Sequence, residues 1–172
     1  MNILVIGGTR FIGAHTVSQL HQQNHKVTVF HRGKTQSEFL PEGIDHIHGN
    51  RKELLAYRSQ FQSLEPDVVI DTCAFNEQDA TTFTGALADI APRVVLLSSG
   101  DVYRAYGIMR GTESGSLQEV PIPEDGDLRT EWYPYRGDEM RADDDPKRHQ
   151  DFYDKIPVER MFADAFETTV LR

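Results

Sequence analysis

Three glycines near the start of the chain, Gly7, Gly8 and Gly13, have the spacing of a phosphate-binding turn. Residues 3–6 form an apolar run typical of a short buried strand, and Gly7 and Gly8 follow it where a side chain would restrict a tight turn. Residues 11–23 then show the spacing of an amphipathic helix. The free amides and the partial positive charge of its first turn favour an anion, and Gly13 lets the helix pack closely on the strand. The sequence therefore predicts a diphosphate site.

The surroundings of this turn favour a dinucleotide. The turn follows a strand, opens a helix and leads to a second strand at residues 26–31, as the dinucleotide-binding motif requires. The alternative is an ordinary tight turn in another α/β protein. Within the helix, Phe11 or Ile12 is expected to face the sheet together with Val17 and Leu20. The predicted cofactor contacts of this region are Gly7, Thr9, Arg10, Phe11, Ile12 and Gly13.

The spacing Gly7-x-x-Arg10-x-x-Gly13 resembles the extended short-chain dehydrogenase/reductase superfamily, the NAD-dependent epimerases and dehydratases, whose pattern is GxxGxxG. Arg10 replaces the middle glycine. The variant GGTRFIG, residues 7–13, is similar to an atypical branch that includes chloroplast proteins which kept the fold and bind RNA. The resemblance implies a Rossmann-type fold, a nicotinamide dinucleotide and reversible hydride transfer on a small molecule such as a nucleotide sugar.

Basic residues follow the second predicted strand, where proteins that prefer NAD usually carry a carboxylate for the ribose hydroxyls. His31 and Arg32 lie there, followed by Lys34, and Arg10 is expected to project toward the same region. A guanidinium can bind a 2′-phosphate through paired charge-assisted hydrogen bonds. NADP is therefore favoured over NAD. The alternative is that Arg32 and Lys34 form a solvent-exposed basic turn.

Two further strand ends match cofactor contacts of the resembled family. Asn50 ends the third strand where the family has an Asp that accepts a hydrogen bond from the adenine amino group, and the amide carbonyl of Asn50 can accept in its place. Cys73 and Ala74 match a run of small residues after the fourth strand, which lets the backbone pass close to the cofactor.

The resemblance also implies a catalytic set, from which the chain departs. In the family, a Tyr acts as acid/base, a Lys four residues later lowers its pKa and holds the nicotinamide ribose, and a Ser or Thr orients the substrate oxygen. Ser99 matches the hydroxyl, and Lys155 with Glu159 matches the family's Lys and the Glu four residues after it. Tyr153 is out of register, because the residue four positions on is Pro157.

The sequence therefore does not identify the acid/base residue. Asp151 occupies the family's tyrosine position, but an exposed Asp with a pKa of about 3.9 is a poor acid for carbonyl reduction at neutral pH. Tyr103, Tyr106 and Tyr153 are the candidate substitutes, and Tyr153 with Ser99 and Lys155 is the predicted catalytic set. Ser99 has the alternative role of bonding the end of its strand.

Hydrophobic periodicity predicts an α/β chain of six strands and four helices. The strands fall at residues 3–6, 26–31, 44–48, 67–72, 93–98 and 168–171, and the helices at 11–23, 51–63, 77–90 and 152–166. The strand at 93–98 is apolar on both faces, which indicates helices on both sides of a parallel sheet. Right-handed crossovers give a doubly wound sheet of order 3-2-1-4-5-6, with the ligand crevice at the carboxyl ends of strands 1 and 4.

Between the last two strands, residues 106–150 form an irregular acidic insertion, and a loop that long is usually functional or partly disordered. We expect residues 1–172 to form a single NAD(P)-binding domain. In the resembled family, the last strand leads into a substrate-binding lobe. The chain is therefore expected to be a fragment or a shortened member without that lobe, the alternative being a complete one-lobe protein.

The composition of the chain limits the kinds of partner that it is expected to bind. The net charge is −9, and residues 101–172 carry seventeen acidic against ten basic residues, which argues against a nucleic-acid surface. The single cysteine, Cys73, allows no internal disulfide and indicates a buried thiol in a reducing cytoplasm rather than a nucleophile. No apolar run approaches the roughly 18 residues that a membrane helix needs. His46 and His48 alternate on one strand and are expected to face solvent rather than to bind a metal.

Two functions fit these features. The first is an oxidoreductase or epimerase acting on a nucleotide sugar or a related hydroxyl compound, which accounts for the glycine turn, Arg32, Asn50, Ser99 and Lys155 together. The second is a non-catalytic dinucleotide-binding or RNA-associated protein of the same fold, which the displaced tyrosine favours. A homodimer is expected from the resemblance alone, since helices equivalent to residues 77–90 and 152–166 often pair between subunits of the superfamily.

Overall fold

The chain forms a six-stranded parallel sheet of order β3-β2-β1-β4-β5-β6 in a computed structural model, which describes residues 1–35, 38–116 and 118–172. The strands are β1 (Asn2–Ile6), β2 (Lys26–His31), β3 (Asp45–His48), β4 (Val68–Asp71), β5 (Arg93–Leu97) and β6 (Glu167–Leu171). The predicted α/β class, Rossmann-type topology and strand order are confirmed.

Helices cover both faces of the sheet. The α-helices are α1 (Phe11–Gln22), α2 (Arg58–Leu64), α3 (Glu77–Leu87), α4 (Arg104–Arg110) and α5 (Lys155–Ala165). On one face, Val17 of α1 packs in a cluster with Val5 and Val29. On the other face, Phe83 and Phe162 lie in the larger core, with ring centroids 4.6 Å apart. Burial on both faces explains why the central strands are continuously apolar.

Two predicted helices are interrupted or shortened. Residues 51–63 were predicted as one helix, but a 3-10 segment, Arg51–Tyr57, precedes α2, and Glu53 within it is not helical (φ −124°, ψ 27°). The helix predicted at residues 152–166 begins only at Lys155, because the Asp154 side chain caps it by accepting a hydrogen bond from the Ile156 amide at 3.1 Å. Pro157 falls in the first turn, as predicted, where no amide hydrogen is needed.

The region predicted as an irregular insertion at residues 106–150 is shorter than expected. Helix α4 extends to Arg110 and ends at Gly111, whose φ is +74°, and a 3-10 segment covers Arg148–Phe152. The described residues of 111–147 contain no further helix or strand, apart from an isolated bridge between Leu128 and Tyr103. They are nevertheless tied to the body of the fold, because Arg129 forms a fully buried ion pair with Asp154 (Nη2–Oδ1 2.9 Å).

In the parts of the chain that the structure describes, no helix combines the length and the apolar character needed to span a bilayer.

Candidate functional site

The glycine turn between β1 and α1 has a backbone that other residues could not adopt. Gly7 and Gly8 have φ values of +103° and +75°. A Cβ at Gly7 would lie 2.2 Å from the Thr72 hydroxyl oxygen, and a Cβ at Gly13 would lie 2.7 Å from Cα of Gly8. The start of α1 is therefore pressed against the turn with no room for a side chain between them.

The first turn of α1 is left open for an anion. Arg10, at the N-cap position, makes no capping hydrogen bond with its side chain, and the first turn holds no acidic residue. The prediction that Phe11 or Ile12 packs on the sheet is wrong: these side chains are 79% and 47% exposed. The reason is that the helix begins beyond the carboxyl end of β1, so burial starts with Gly13 and Ala14. Both residues remain candidates for cofactor contact, as does half-buried Thr9.

Arg10 and the end of β2 lie in the same region, as the sequence indicated. The Arg10 Nε donates to the Thr35 hydroxyl at 3.3 Å, across the loop that follows β2. Arg32 and Lys34 are exposed in this loop. Arg10 thus contacts the same loop that carries Arg32.

His31 takes part in a cluster of three imidazoles that the sequence did not indicate. The Gly33 amide donates to Nδ1 of His31 at 3.2 Å, so Nε2 carries the proton and donates to Nδ1 of His46 at 2.9 Å. The ring of His48 lies 4.8 Å from that of His31. Burial and the two neighbouring histidines lower the pKa of His31. No group of histidine, cysteine or acidic side chains within residues 1–35, 38–116 and 118–172 is arranged to hold a metal ion.

The ends of β3 and β4 are joined by a buried ion pair next to Asn50. Arg51 binds Asp71, which is fully buried at the end of β4, and its Nη1 lies 3.1 Å from Asp79. Asn50 itself uses its side-chain carbonyl to cap the following 3-10 segment, accepting from the Lys52 amide at 3.2 Å. Its second lone pair is free of that bond and available to an adenine amino group.

Cys73 and Ala74 occupy the predicted small-residue turn after β4. The Asp71 carboxylate accepts a hydrogen bond from the Cys73 amide at 2.8 Å, which fixes the turn. Burial and the nearby Asp71 charge raise the pKa of the Cys73 thiol to about 12. This thiol is therefore protonated at neutral pH, which makes it a poor nucleophile.

Lys155 is buried at the carboxyl ends of β4 and β5. Its ammonium donates to the carbonyl oxygens of Ala74 and Leu97 at 2.6 and 2.8 Å, and lies 4.9 Å from the centre of the Phe75 ring. Burial lowers the pKa of this ammonium. Two of its three N–H groups are thus used by the protein, leaving one for a ligand.

Ser99 and Tyr153 meet despite the irregular spacing in the sequence. The hydroxyl of Ser99 and the carboxylate of Asp101 are both close enough to the Tyr153 phenol to influence its pKa. Its ring stacks on Phe75 at 6.2 Å between centroids. Burial and the Asp101 charge raise the pKa of Tyr153, and the Ser99 hydrogen bond opposes this in part. Tyr153 reaches Ser99 from the extended residues before α5, where the helical spacing rule does not apply.

The structure separates Tyr153 from the other acid/base candidates. The expectation of an exposed Asp151 is wrong: Asp151 is fully buried and paired with Arg141 and Arg148, so it is a structural anchor. Tyr103 is turned toward the Glu124 carbonyl, 3.4 Å away. Tyr106 packs instead against Tyr135, with centroids 6.1 Å apart.

Two residues of this region were missed in the sequence. Asp101 is 5% exposed, and its Oδ2 accepts a hydrogen bond from the Tyr135 hydroxyl at 2.9 Å. A carboxylate two residues after Ser99 could have suggested the first. Tyr135 lies within the aperiodic residues 111–147, where no pattern indicates a neighbour in space.

The fold and the glycine turn together define a Rossmann-type unit of the dinucleotide-binding class. Residues 3–99, more than half of the chain, match the NAD dependent epimerase/dehydratase family. The chain belongs to this family, which confirms the resemblance drawn from the sequence.

The names of two sequence relatives describe different activities. The 2′-dehydrokanamycin reductase of Streptomyces kanamyceticus is 34% identical over 99 residues, which cover 58% of this chain and 28% of the reductase. The chloroplast stem-loop binding protein of 41 kDa b of Arabidopsis thaliana is 29% identical over 127 residues, which cover 67% of this chain and 33% of that protein. The chain thus spans about a third of the length of these relatives.

Solved structures with the same fold include nucleotide-sugar enzymes. The UDP-glucose-4-epimerase of Stenotrophomonas maltophila, with bound NAD and formylated UDP-arabinopyranose, superimposes with a TM-score of 0.70 at 19% identity and covers all of this chain and 52% of that one. The Bordetella bronchiseptica enzyme WbmG in complex with NAD superimposes with a TM-score of 0.66 at 18% identity, and the match covers 99% of this chain and 52% of that one. At such identities the likeness establishes the fold alone, over about half of each structure.

Proposed function

We propose that this chain is the cofactor-binding unit of an NAD(P)-dependent oxidoreductase or epimerase that acts on a small molecule, with a nucleotide sugar as the favoured class. The observation that carries the proposal is the cradle of Gly7, Gly8 and Gly13 beneath the uncapped start of α1. A Cβ at Gly7 would collide with Thr72 and a Cβ at Gly13 with the backbone of Gly8, so glycine at both positions is what lets α1 begin this close to β1, as the dinucleotide-binding motif requires.

The residues around the cradle fit the parts of a dinucleotide. Backbone amides from Thr9 to Gly13 would hold the pyrophosphate, Asn50 the adenine amino group, and His31 with Arg32 the adenine ribose. The small residues Cys73 and Ala74 would let the backbone pass close to the cofactor. Lys155 would reach the nicotinamide ribose with its remaining N–H. When bound, the cofactor supplies or accepts a hydride at the substrate carbon.

Binding of the cofactor is tested by calorimetric titration of the 172-residue chain with NADPH and with NADH. We expect heat of binding with both and tighter binding of NADPH. Absence of heat and of any thermal shift with either dinucleotide at saturating concentration would refute the proposal.

The preference for NADP rests on Arg32 and Arg10, which border the loop after β2, and on the lack of a carboxylate at this strand end. Arg32→Ala is expected to weaken NADPH binding about tenfold while changing NADH binding little, because a charge-assisted hydrogen bond contributes about 1.5–3 kcal/mol. Calorimetry measures both constants. Lys26→Ala, at the opposite end of β2, is the control and should change neither. Equal losses for the two cofactors would reject the 2′-phosphate assignment.

Lys155 provides a second test of the cofactor assignment. Lys155→Met keeps most of the apolar stem but removes the ammonium, so we expect dinucleotide binding to weaken about tenfold from the loss of a charged hydrogen bond. The melting temperature should also fall, because the carbonyls of Ala74 and Leu97 lose their donor. Exposed Lys52→Met is the matched control. A lower melting temperature with unchanged affinity would remove Lys155 from the ribose role.

The chemical step would use Ser99 and Tyr153. The Ser99 hydroxyl would orient the substrate oxygen, and the Tyr153 hydroxyl, which interacts with it, would exchange a proton with that oxygen. The reductase among the sequence relatives supports a carbonyl substrate. The activity test is a turnover screen on nucleotide sugars with a chain extended beyond Arg172, since the relatives are longer than the matched region.

A second candidate function is binding without catalysis, in particular RNA association. The Arabidopsis relative, which is named a stem-loop binding protein, and the irregular Tyr153–Lys155 spacing favour this alternative. The net charge of −9 opposes it, because RNA is held largely by clustered basic residues. Dinucleotide binding without turnover, together with retardation of stem-loop RNA in a gel, would favour the second function. A homodimer through α3 and α5 stays a prediction.

A further inference from the structure

His48 is an exposed titratable side chain at the end of β3 and takes part in none of the cofactor contacts assigned above. It pairs in register with His31 at the end of β2, and its ring centroid lies 4.8 Å from that of His31 and 6.1 Å from that of His46. A Cβ added at Gly33 would lie 3.3 Å from Cδ2 of His48, so the loop that carries Arg32 lies against this ring. The imidazole of His48 is therefore a neighbour of the proposed 2′-phosphate site.

The hydrogen bonds of the cluster leave His48 as the imidazole that can gain a proton without losing a bond. Nδ1 of His31 accepts from the Gly33 amide, and Nδ1 of His46 accepts from Nε2 of His31. A proton added to either acceptor nitrogen would break the hydrogen bond that it receives. Among the residues that the structure describes, neither ring nitrogen of His48 forms a hydrogen bond. Its unprotonated nitrogen is therefore available.

The fixed charges next to this cluster are positive. Arg32 and Lys34 lie in the loop against it, and Arg10 donates to the same loop at 3.3 Å. Asp45, the acidic residue of β3, lies on the opposite face of the sheet from the imidazoles, because side chains alternate along a strand. None of the ion pairs formed within the described residues includes a histidine. The free cluster therefore lacks the negative charge that would stabilise an imidazolium at His48.

We infer that His48 takes up a proton when the 2′-phosphate of NADPH binds beside Arg32, and that it thereby acts as a specificity-determining residue for NADPH over NADH. The proton comes from the solvent and forms an N–H bond on the free imidazole nitrogen, while no bond of the dinucleotide breaks. The inference rests on the proposed function and deepens it, because it adds a titratable residue to the selection of the cofactor.

The charge of the phosphate supplies the driving force. A phosphomonoester, whose second pKa is about 6, is a dianion at pH 7.5, whereas a histidine of ordinary pKa, about 6.5, is mostly neutral there. Arginine and lysine are already charged at this pH, so Arg10, Arg32 and Lys34 attract the phosphate without binding a further proton. Proton uptake on binding is therefore a property that distinguishes His48 from the basic residues of the loop.

Proton uptake is measured by calorimetric titration at pH 7.5 in two phosphate-free buffers of different ionisation enthalpy, HEPES and Tris. A proton gained by the complex comes from the buffer, so the binding heat differs between the buffers by the number of protons multiplied by the difference in ionisation enthalpy. We expect greater uptake with NADPH than with NADH, which lacks the 2′-phosphate. Equal uptake with the two dinucleotides would overturn the inference.

The pH dependence of affinity provides an independent measurement. The complex with NADPH would hold more protons than its separate components, so lowering the pH favours the complex. The ratio of NADPH affinity to NADH affinity should rise by up to about tenfold, the limit for one proton, as the pH falls from 8 to 7. A ratio that stays constant over this range would contradict the role of His48.

His48→Gln assigns the proton to this residue. Glutamine is polar but does not titrate, so NADPH should bind about tenfold more weakly from the loss of a charged hydrogen bond, while NADH binding stays unchanged. The excess proton uptake with NADPH should disappear. His21→Gln, in the last turn of α1, is the control and should alter neither affinity nor uptake. Excess uptake that persists in folded His48→Gln would refute the assignment.

Failure of the inference can be distinguished from failure of the proposed function. A chain that binds neither NADPH nor NADH refutes the proposed function, and the inference falls with it. A chain that binds both dinucleotides with the same proton uptake refutes the inference alone.

Discussion

Gly13→Ala is expected to weaken NADPH and NADH binding about 100-fold, since overpacking strain of up to about 3 kcal/mol converts at about 1.4 kcal/mol per tenfold change. The added Cβ would lie 2.7 Å from Cα and 2.9 Å from N of Gly8. Both atoms are backbone, so no side chain can rotate away. Helix α1 must shift away from the turn, so its amides would no longer point at a pyrophosphate bound there. Calorimetric titration of the variant measures the loss.

Gly85→Ala is the matched control for this change. Gly85 lies within α3, where an added Cβ would meet only the Leu55 side chain at an ordinary 3.7 Å. Alanine should leave binding unchanged and stabilise the helix by about 0.5–1 kcal/mol. If Gly13→Ala folds with its melting temperature intact and still binds both dinucleotides normally, then the glycine cradle is not the cofactor site.

Arg129→Met should lower the free energy of unfolding by about 3–5 kcal/mol, because it leaves the buried carboxylate of Asp154 without its ion-pair partner. Both side chains are 1% exposed. The same guanidinium also donates to the Asp101 carbonyl at 2.5 Å, and methionine cannot replace that bond. Urea denaturation followed by circular dichroism measures the loss, and the larger part of it should come from the uncompensated charge.

An exposed ion pair provides the comparison. Arg93 of β5 and Glu167 of the edge strand β6 form an ion pair at 3.2 Å, with side chains 54% and 71% exposed. Arg93→Met should cost less than about 1 kcal/mol, because solvent screens such a pair. Similar losses for the two variants would mean that burial does not set the strength of the Arg129–Asp154 pair.

The sheet could be predicted from the sequence because its signals are local. The apolar runs of β1, β4 and β5 are long enough to identify buried strands, and the handedness of crossovers together with the resemblance of the glycine turn then favours one strand order. Helix ends were less accurate, since they depend on single contacts. The start of α5 is set by the Asp154 side chain, and its capping role competes with an apparent continuation of the helix from Phe152.

The candidate site was predictable only where it follows the strand ends. Ser99 and the glycines lie at such positions, whereas Lys155, the first residue of α5, was found through the resemblance to the family. Tyr135 and Arg129 lie in residues 111–147, and their partners, Asp101 and Asp154, are 34 and 25 residues away. No periodic pattern in the sequence indicates contacts between residues so far apart in the chain. The same reason explains the error at Asp151, whose burial depends on Arg141 folding back over it.

The bridge that Lys155 makes between two strand ends has a consequence for affinity. By holding the carbonyls of Ala74 and Leu97 to one nitrogen, it fixes the spacing of the chain segments that leave β4 and β5 before any ligand arrives. A ligand that binds beside preorganised segments does not pay the entropy of ordering them. The shape of this part of the candidate site is therefore set during folding, by a lysine whose main partners are the protein's own backbone.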